Sequence, residues 1–171
     1  MGPDARLAAR NLTRFSRSRS RRAAASERRC AFYLAEADGK QLRHIVGMPE
    51  SYARAVDGFK ISPESLACGL AVASGQPVIT QDVLNEPRWQ PWAGLAREYD
   101  YRACWSFPVE TTSGKLIGSF AMYCKEPYSP TVRDRELVAA FTQAAAIIIS
   151  HYQEAAERVR MDEELMRSLR Q

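Results

Sequence analysis

Residues 103–124 read Ala103-Cys104-Trp105-Ser106-Phe107-Pro108-Val109-Glu110-Thr111-Thr112-Ser113-Gly114-Lys115-Leu116-Ile117-Gly118-Ser119-Phe120-Ala121-Met122-Tyr123-Cys124. Two apolar runs with aromatic and β-branched residues flank a short polar turn that carries a glycine. That is the pattern of a β-hairpin. Pro108 has no N–H to give to a ladder, so it marks an edge or a bulge.

Upstream, residues 30–36 have strand composition, and Ala37-Asp38-Gly39-Lys40 is a turn in which glycine supplies a positive φ. Residues 41–46 are the returning strand. Between the two hairpins, Met48-Pro49 opens a short helical stretch to about Val56, and Asp57-Gly58 ends it. Ser62 is expected as an N-cap with Pro63 at the first helical position, ahead of Leu66, Leu70 and Val72, with Gly75 as the stop. Residues 77–80 form a short strand. Asn85-Glu86-Pro87 opens a helix over about 88–100, whose Trp89, Trp92, Leu95, Ala96 and Tyr99 share one face.

Downstream of the hairpin, residues 126–130 are a loop, and Thr131 caps a long helix with Asp134 at the capping-box position. Neither Gly nor Pro interrupts residues 131–171. Leu137, Phe141, Ala144 and Ile148 form a seam. After one extra residue it resumes at Tyr152, Ala155, Val159, Asp162, Met166 and Leu169, a coiled-coil pattern with a stutter near His151. Such a helix spans roughly 58 Å. A body of about 140 residues is roughly 37 Å across. The helix is therefore expected to overshoot the body, and a second copy or a further domain to cover its apolar seam.

The chain has 171 residues, 46% hydrophobic and 26% charged, which suits one ordinary globular domain and excludes a disordered polymer. No apolar run approaches the ~18 residues of a membrane span. The net charge of +4 conceals an asymmetry: residues 1–29 hold nine Arg against Asp4 and Glu27, leaving 15 basic and 18 acidic residues in the remainder. A uniformly basic nucleic-acid-binding domain is a poor description of that remainder. The Arg- and Ser-rich arm 1–29 could form a basic amphipathic helix over 4–17, meet nucleic acid or an acidic membrane, or act as a transit peptide. The favoured reading is a solvated arm, or a helix packed beside the domain.

The four cysteines, Cys30, Cys68, Cys104 and Cys124, have no CxxC spacing, and residues 1–10 lack the apolar stretch of a signal peptide. Free buried thiols in a cytoplasmic protein are expected, with no metal site.

The order hairpin, two helices, short strand, helix, hairpin, long helix gives an α+β fold, an antiparallel sheet sandwiched by helices. Several blocks carry a more specific likeness. They are Asp38-Gly39-Lys40-Gln41-Leu42, Cys68-Gly69, Gly75-Gln76-Pro77-Val78-Ile79-Thr80-Gln81-Asp82-Val83, Pro87-Arg88-Trp89, residues 102–109, residues 114–121 and Glu126-Pro127-Tyr128-Ser129-Pro130. With them, residues 30–149 resemble the GAF domain, the small-molecule-sensing module of bacterial signalling proteins found beside PAS, histidine kinase and diguanylate cyclase modules. The organisation expected is an arm over 1–29, a GAF domain over 30–150 and a coiled-coil-like extension over 151–171. The resemblance also implies a detached sensor or a fragment of a longer one.

By that resemblance, a ligand lies between one face of the sheet and a cover formed by about residues 61–100. The candidate ligand-binding residues are Cys68, Trp89, Trp92, Tyr99, Arg102 and Cys104, with Ser106, Phe120 and Met122 on the floor; Arg102 is a candidate anion contact. The ligand and any cofactor are not identified by the sequence. Cys104 is followed by Trp105 rather than the His usual beside a bilin-bearing cysteine, and neither His44 nor His151 suits a haem ligand. No catalytic pattern stands out. The expectation is a non-enzymatic sensor. It would dimerise through Tyr152, Ala155, Val159, Met166 and Leu169 and signal to an output domain or a partner kinase or cyclase. The alternatives are a thiol-dependent free methionine sulfoxide reductase, a GAF-fold enzyme whose cysteines Cys68 partly matches, and a ligand-free dimerisation module.

Overall fold

A computed structural model describes residues 28–170. Residues 1–27 of the expected arm over 1–29, with its expected helix at 4–17, lie outside the described residues.

The first hairpin joins β1 (Arg29–Ala35) to β2 (Gln41–Val46). Its turn closes where Glu36 N donates to Gln41 O at 2.9 Å, and Gly39 takes a φ of +68°. The second joins β5 (Ala103–Glu110) to β6 (Leu116–Cys124) through a turn held by Gly114 N donating to Thr111 O at 2.9 Å. The hairpins meet through an antiparallel β1–β6 pairing in which Leu34 faces Gly118. A Cβ on Gly118 would lie 2.1 Å from Tyr33 O, so only glycine allows β6 to pass β1 this closely. With β3 (Phe59–Lys60) on β2 and β4 (Val78–Thr80) on β5, the described sheet runs β3-β2-β1-β6-β5-β4. The two-residue β3 is too short to carry a sequence signal. β4 pairs only residues 104–106, so Pro108 stands beyond its reach, and the ladder shifts register between Val109 and Glu110, one residue on.

Both faces of the sheet are covered, which is why β6 is buried along almost its whole length. On one face, Tyr33, Cys104, Ala121 and Tyr123 meet the short helices α1 (Glu50–Ala55), α2 (Ala67–Ser74) and α3 (Ala93–Glu98). On the other, Phe32, Trp105, Phe107, Phe120 and Met122 meet α4 (Val132–Ser168) through Val138, Phe141 and Ala145. The Phe120 and Phe141 rings stack at 5.7 Å.

The cover departs from expectation in two places. Ser62-Pro63-Glu64-Ser65 is a turn rather than a helix start, because Ser62 Oγ engages Ser65 Oγ at 3.2 Å and Ser65 Oγ donates to Lys60 O at 2.6 Å. The helix begins instead at Ala67 and ends at Gly75, which is left-handed at φ +66°. Over 87–92 the chain forms a 3-10 helix that contains Pro91, and an α-helix follows from Ala93.

The cap of α4 is as read. Asp134 N donates to Thr131 Oγ1 at 3.2 Å, and Thr131 N donates to Asp134 Oδ2 at 2.9 Å. Arg28 lies over the Tyr128 ring at 4.9 Å and donates to Asp134 Oδ1 at 2.5 Å. The stripe that α4 buries is centred on Val138, Phe141 and Ala145, with Leu137, Ala144 and Ile148 half-buried beside it. A helix on a broad sheet buries a wider face than a coiled-coil seam. Beyond Ser150 every side chain described is exposed, including Ala155, Val159 (59%), Met166 (53%) and Leu169 (74%). The Tyr152 side chain is outside the described set.

Candidate functional site

The cover and the sheet enclose a cavity of about 30 Å³, space for roughly two waters. Its floor is Tyr33, Cys104 and Tyr123, one each from β1, β5 and β6. Leu66, Ala67 and Cys68 roof it at the start of α2. Gly69 lets the roof sit low: a Cβ there would stand 2.1 Å from Lys60 O. Ala67 is held at φ +39°, a left-handed conformation that alanine adopts only under constraint. The sides are Tyr52 and Val56 of α1, and Trp89, Trp92, Leu95 and Tyr101 of the α3 region. In a 3-10 helix residues three apart eclipse, so Trp89 and Trp92 face the same way.

Phe59 completes the wall, edge-to-face with Trp92 at 5.7 Å. Val56, Phe59, Leu66 and Trp92 also line an outer groove of about 560 Å³, which Lys60, Glu64 and Arg88 share. A single layer of apolar side chains thus divides the cavity from the groove.

The polar atoms inside are hydroxyls and thiols. Tyr33 Oη and Tyr123 Oη are 2.7 Å apart, and Tyr52 Oη donates to Tyr123 Oη at 3.4 Å. Cys68 Sγ lies 3.2 Å from Ser106 Oγ, and Trp89 Nε1 donates to Thr80 Oγ1 at 3.2 Å. The Tyr101 hydroxyl is close to that of Tyr52 but not in hydrogen-bonding geometry with it, and it has no partner among the described residues. Burial pushes the Cys68 thiol up to about 11 and holds Cys104, Tyr33 and Tyr123 well above their ordinary values. The interior is therefore uncharged at neutral pH. His44 packs edge-on to Tyr33 at 5.4 Å and accepts from Met48 N at 3.3 Å, and burial lowers its pKa.

Of the residues read as ligand-binding, the structure gathers Cys68, Trp89, Trp92 and Cys104 at the cavity. Ser106 lies beneath it, bonded to Cys68. Tyr99 is one layer out, edge-on to Tyr52 at 5.0 Å and donating to Ser51 Oγ at 2.7 Å. Arg102 is outside, bound through two nitrogens to Asp82 at 2.9 and 2.5 Å. Phe120 and Met122 must be corrected: they face α4 on the opposite side of the sheet. Cross-strand partners share a face, and Trp105 pairs with Met122 and Phe107 with Phe120. The tyrosines Tyr33, Tyr52, Tyr101 and Tyr123 were not anticipated. Tyr123 was within reach of the sequence, since it pairs with Cys104, but only once the register was known. Among the described residues no group of three or more His, Cys, Asp or Glu could hold a metal ion, and no helix is long and apolar enough to cross a membrane.

The family profile described as GAF domain matches residues 13–150. The chain belongs to the GAF family. Its relatives include a methyl sulfide methyltransferase-associated sensor of Methanosarcina acetivorans, 25% identical over 142 residues, which are 82% of this chain but only 14% of that protein. A domain of a two-component sensor histidine kinase protein from Sinorhizobium meliloti superposes with a TM-score of 0.67 at 19% identity, covering 92% of this chain and 99% of the other. The type II free methionine-R-sulfoxide reductase of Thermoplasma acidophilum has a TM-score of 0.65 at 18% identity, over 86% and 96%. The GAF fold thus joins this chain to sensors and to an enzyme alike. The sequence relative is a sensor, and the family likeness supports a sensory signalling role.

Proposed function

We propose that this chain is a non-enzymatic, cytoplasmic sensory module. It binds a small molecule under α2 and passes the bound state to α4, whose protruding half pairs with a second copy and leads to an output domain or a partner kinase or cyclase. The observation that carries this reading is the two-faced β5–β6 hairpin. Cys104 and Tyr123 face the cavity, while their chain neighbours Trp105 and Met122 lie in the core that holds α4. A ligand large enough to part Phe59 from Trp92 shifts the roof against the same strands that seat α4. Binding and movement are then one event, so the ligand favours one arrangement over the other.

The protruding half of α4 exposes Val159, Met161, Leu165, Met166 and Leu169, each more than half accessible. A second copy of the helix is the simplest cover for such a row. Native mass spectrometry of the purified full chain reads both parts of the proposal. A dimer that retains or takes up a small molecule is expected. A strict monomer at high concentration that takes up nothing from a screen of small metabolites would overturn it.

The reductase reading is favoured by the structural likeness to that enzyme but opposed by the thiols. A thiolate nucleophile needs a lowered pKa, and burial drives Cys68 and Cys104 the other way. No thiol-dependent turnover of free methionine sulfoxide is expected. Turnover that disappears in Cys68→Ser would replace the sensor with the enzyme.

A further inference from the structure

The cavity has a chemical character that limits what it can hold. Among the described residues no Asp, Glu, Lys, Arg or His lines it. The nearby cations are placed elsewhere: Arg102 is bound to Asp82, and Lys60 and Arg88 line the outer groove. An anion entering the cavity would lose its water and meet no counter-charge among the described residues, which is heavily unfavourable. Phenols and thiols that stay protonated cannot balance a carboxylate or a phosphate.

The hydroxyls are not equivalent. Those of Tyr33, Tyr52 and Tyr123 are joined to one another. Tyr101 is 2% exposed, lines the cavity, packs edge-on to Tyr123 at 5.0 Å, and its hydroxyl has no partner among the described residues. A buried hydroxyl without an acceptor is a standing penalty, which a molecule offering an acceptor relieves. The surrounding surface is aromatic and aliphatic: Phe59, Trp89, Trp92, Leu66 and Leu95.

We infer that the cavity, widened as Phe59 parts from Trp92, takes a small, uncharged, largely apolar molecule carrying a hydrogen-bond acceptor, and that the Tyr101 hydroxyl meets that acceptor. This rests on the reading of the cavity as the ligand site. The molecule passes from the outer groove between Phe59 and Trp92, which line both the groove and the cavity. Acidic ligands such as cyclic nucleotides and oxoacids are rejected by the lining.

Three probes of similar shape test this on the full chain: acetophenone, neutral with one carbonyl acceptor; ethylbenzene, neutral with none; and benzoate, anionic at neutral pH. Affinity is read by NMR titration, and location by contacts to Tyr52 and Trp92. Acetophenone is expected to bind about tenfold more tightly than either of the others. Tyr101→Phe should remove that preference over ethylbenzene and leave ethylbenzene within about twofold. The same variant should melt no lower than the parent, since it loses only an unpaired hydroxyl, so a failure to fold will not obscure the result. Benzoate binding in the cavity as tightly as acetophenone would overturn the inference, as would an acetophenone affinity indifferent to Tyr101→Phe. In those cases the cavity remains a ligand site of other chemistry. If no probe reaches the cavity, the ligand-site reading itself fails, and the inference with it.

Discussion

At the scale of single residues, Gly69 decides how the roof sits. Its Cβ position lies 2.1 Å from a backbone oxygen, 2.8 Å from Ser65 Cβ and 3.1 Å from the Phe59 ring. The first of these cannot rotate away, so Gly69→Ala must push α2 off β3. A loss of roughly 2 kcal/mol is expected, typical of overpacking, read as a lower urea midpoint. Phe59 moves with β3, so the variant should also admit acetophenone faster. Unchanged stability would mean that the roof is looser than its geometry. The Cys68-Gly69 pair was legible as a family signature. Its physical reason, a helix laid almost on a strand, was not, because Lys60 and Gly69 come together only in the folded chain.

At the scale of elements, the start of α4 is tied by both a capping box and the Arg28 pair, and its capping residue could be read from the sequence alone. Burial works to raise the Asp134 pKa, but hydrogen bonds from Thr131 and the Arg28 guanidinium outweigh it and hold the carboxyl below its ordinary value. A carboxyl with a depressed folded pKa contributes stability above its unfolded pKa of about 4 and loses it as pH falls through the folded value. Asp134→Asn is expected to lose roughly 1–3 kcal/mol at pH 7. The gap between variant and parent should narrow as the pH is lowered below about 4, as urea titrations across that range would show. A gap that stays constant there would mean that the pair with Arg28 adds nothing. Arg28 itself was assigned to the arm, since composition alone cannot show that its guanidinium lies on Tyr128.

The β5–β6 hairpin shows the limit of such reading. Continued without irregularity from the Glu110–Leu116 pair, the ladder would set Cys104 opposite Met122 and Ser106 opposite Phe120. Those are the four floor residues inferred from the sequence. The shift between Val109 and Glu110 sets Tyr123 and Ala121 opposite them instead. A slip of one residue turns every side chain of a strand to the other face. The cavity gained a tyrosine where a phenylalanine and a methionine had been expected.

At the scale of the whole molecule, the body and the protruding helix are energetically separate. Every side chain described beyond Ser150 is exposed, so residues 151–170 contribute little to the folding of a single copy. Removing 151–171 should leave the melting temperature of a dilute sample within a few degrees, a change of under about 1 kcal/mol. It should abolish association, measured by light scattering after gel filtration. A truncated chain that remains dimeric would place the interface on the body and leave the apolar row on α4 without its proposed role.

What is local or periodic could be read from the order of residues: both hairpins, the glycine stop at Gly75, the capped long helix and its overshoot. Each follows from backbone preferences or side-chain spacing along a few turns of chain. Only the folded arrangement settles which strand faces meet the cavity, that four tyrosines line it, and that one hydroxyl there has no partner among the described residues. Those outcomes depend on contacts between residues far apart in the chain, and on a one-residue register shift that Pro108 flags as an edge or a bulge without fixing where the ladder slips or which strand face then meets the cavity.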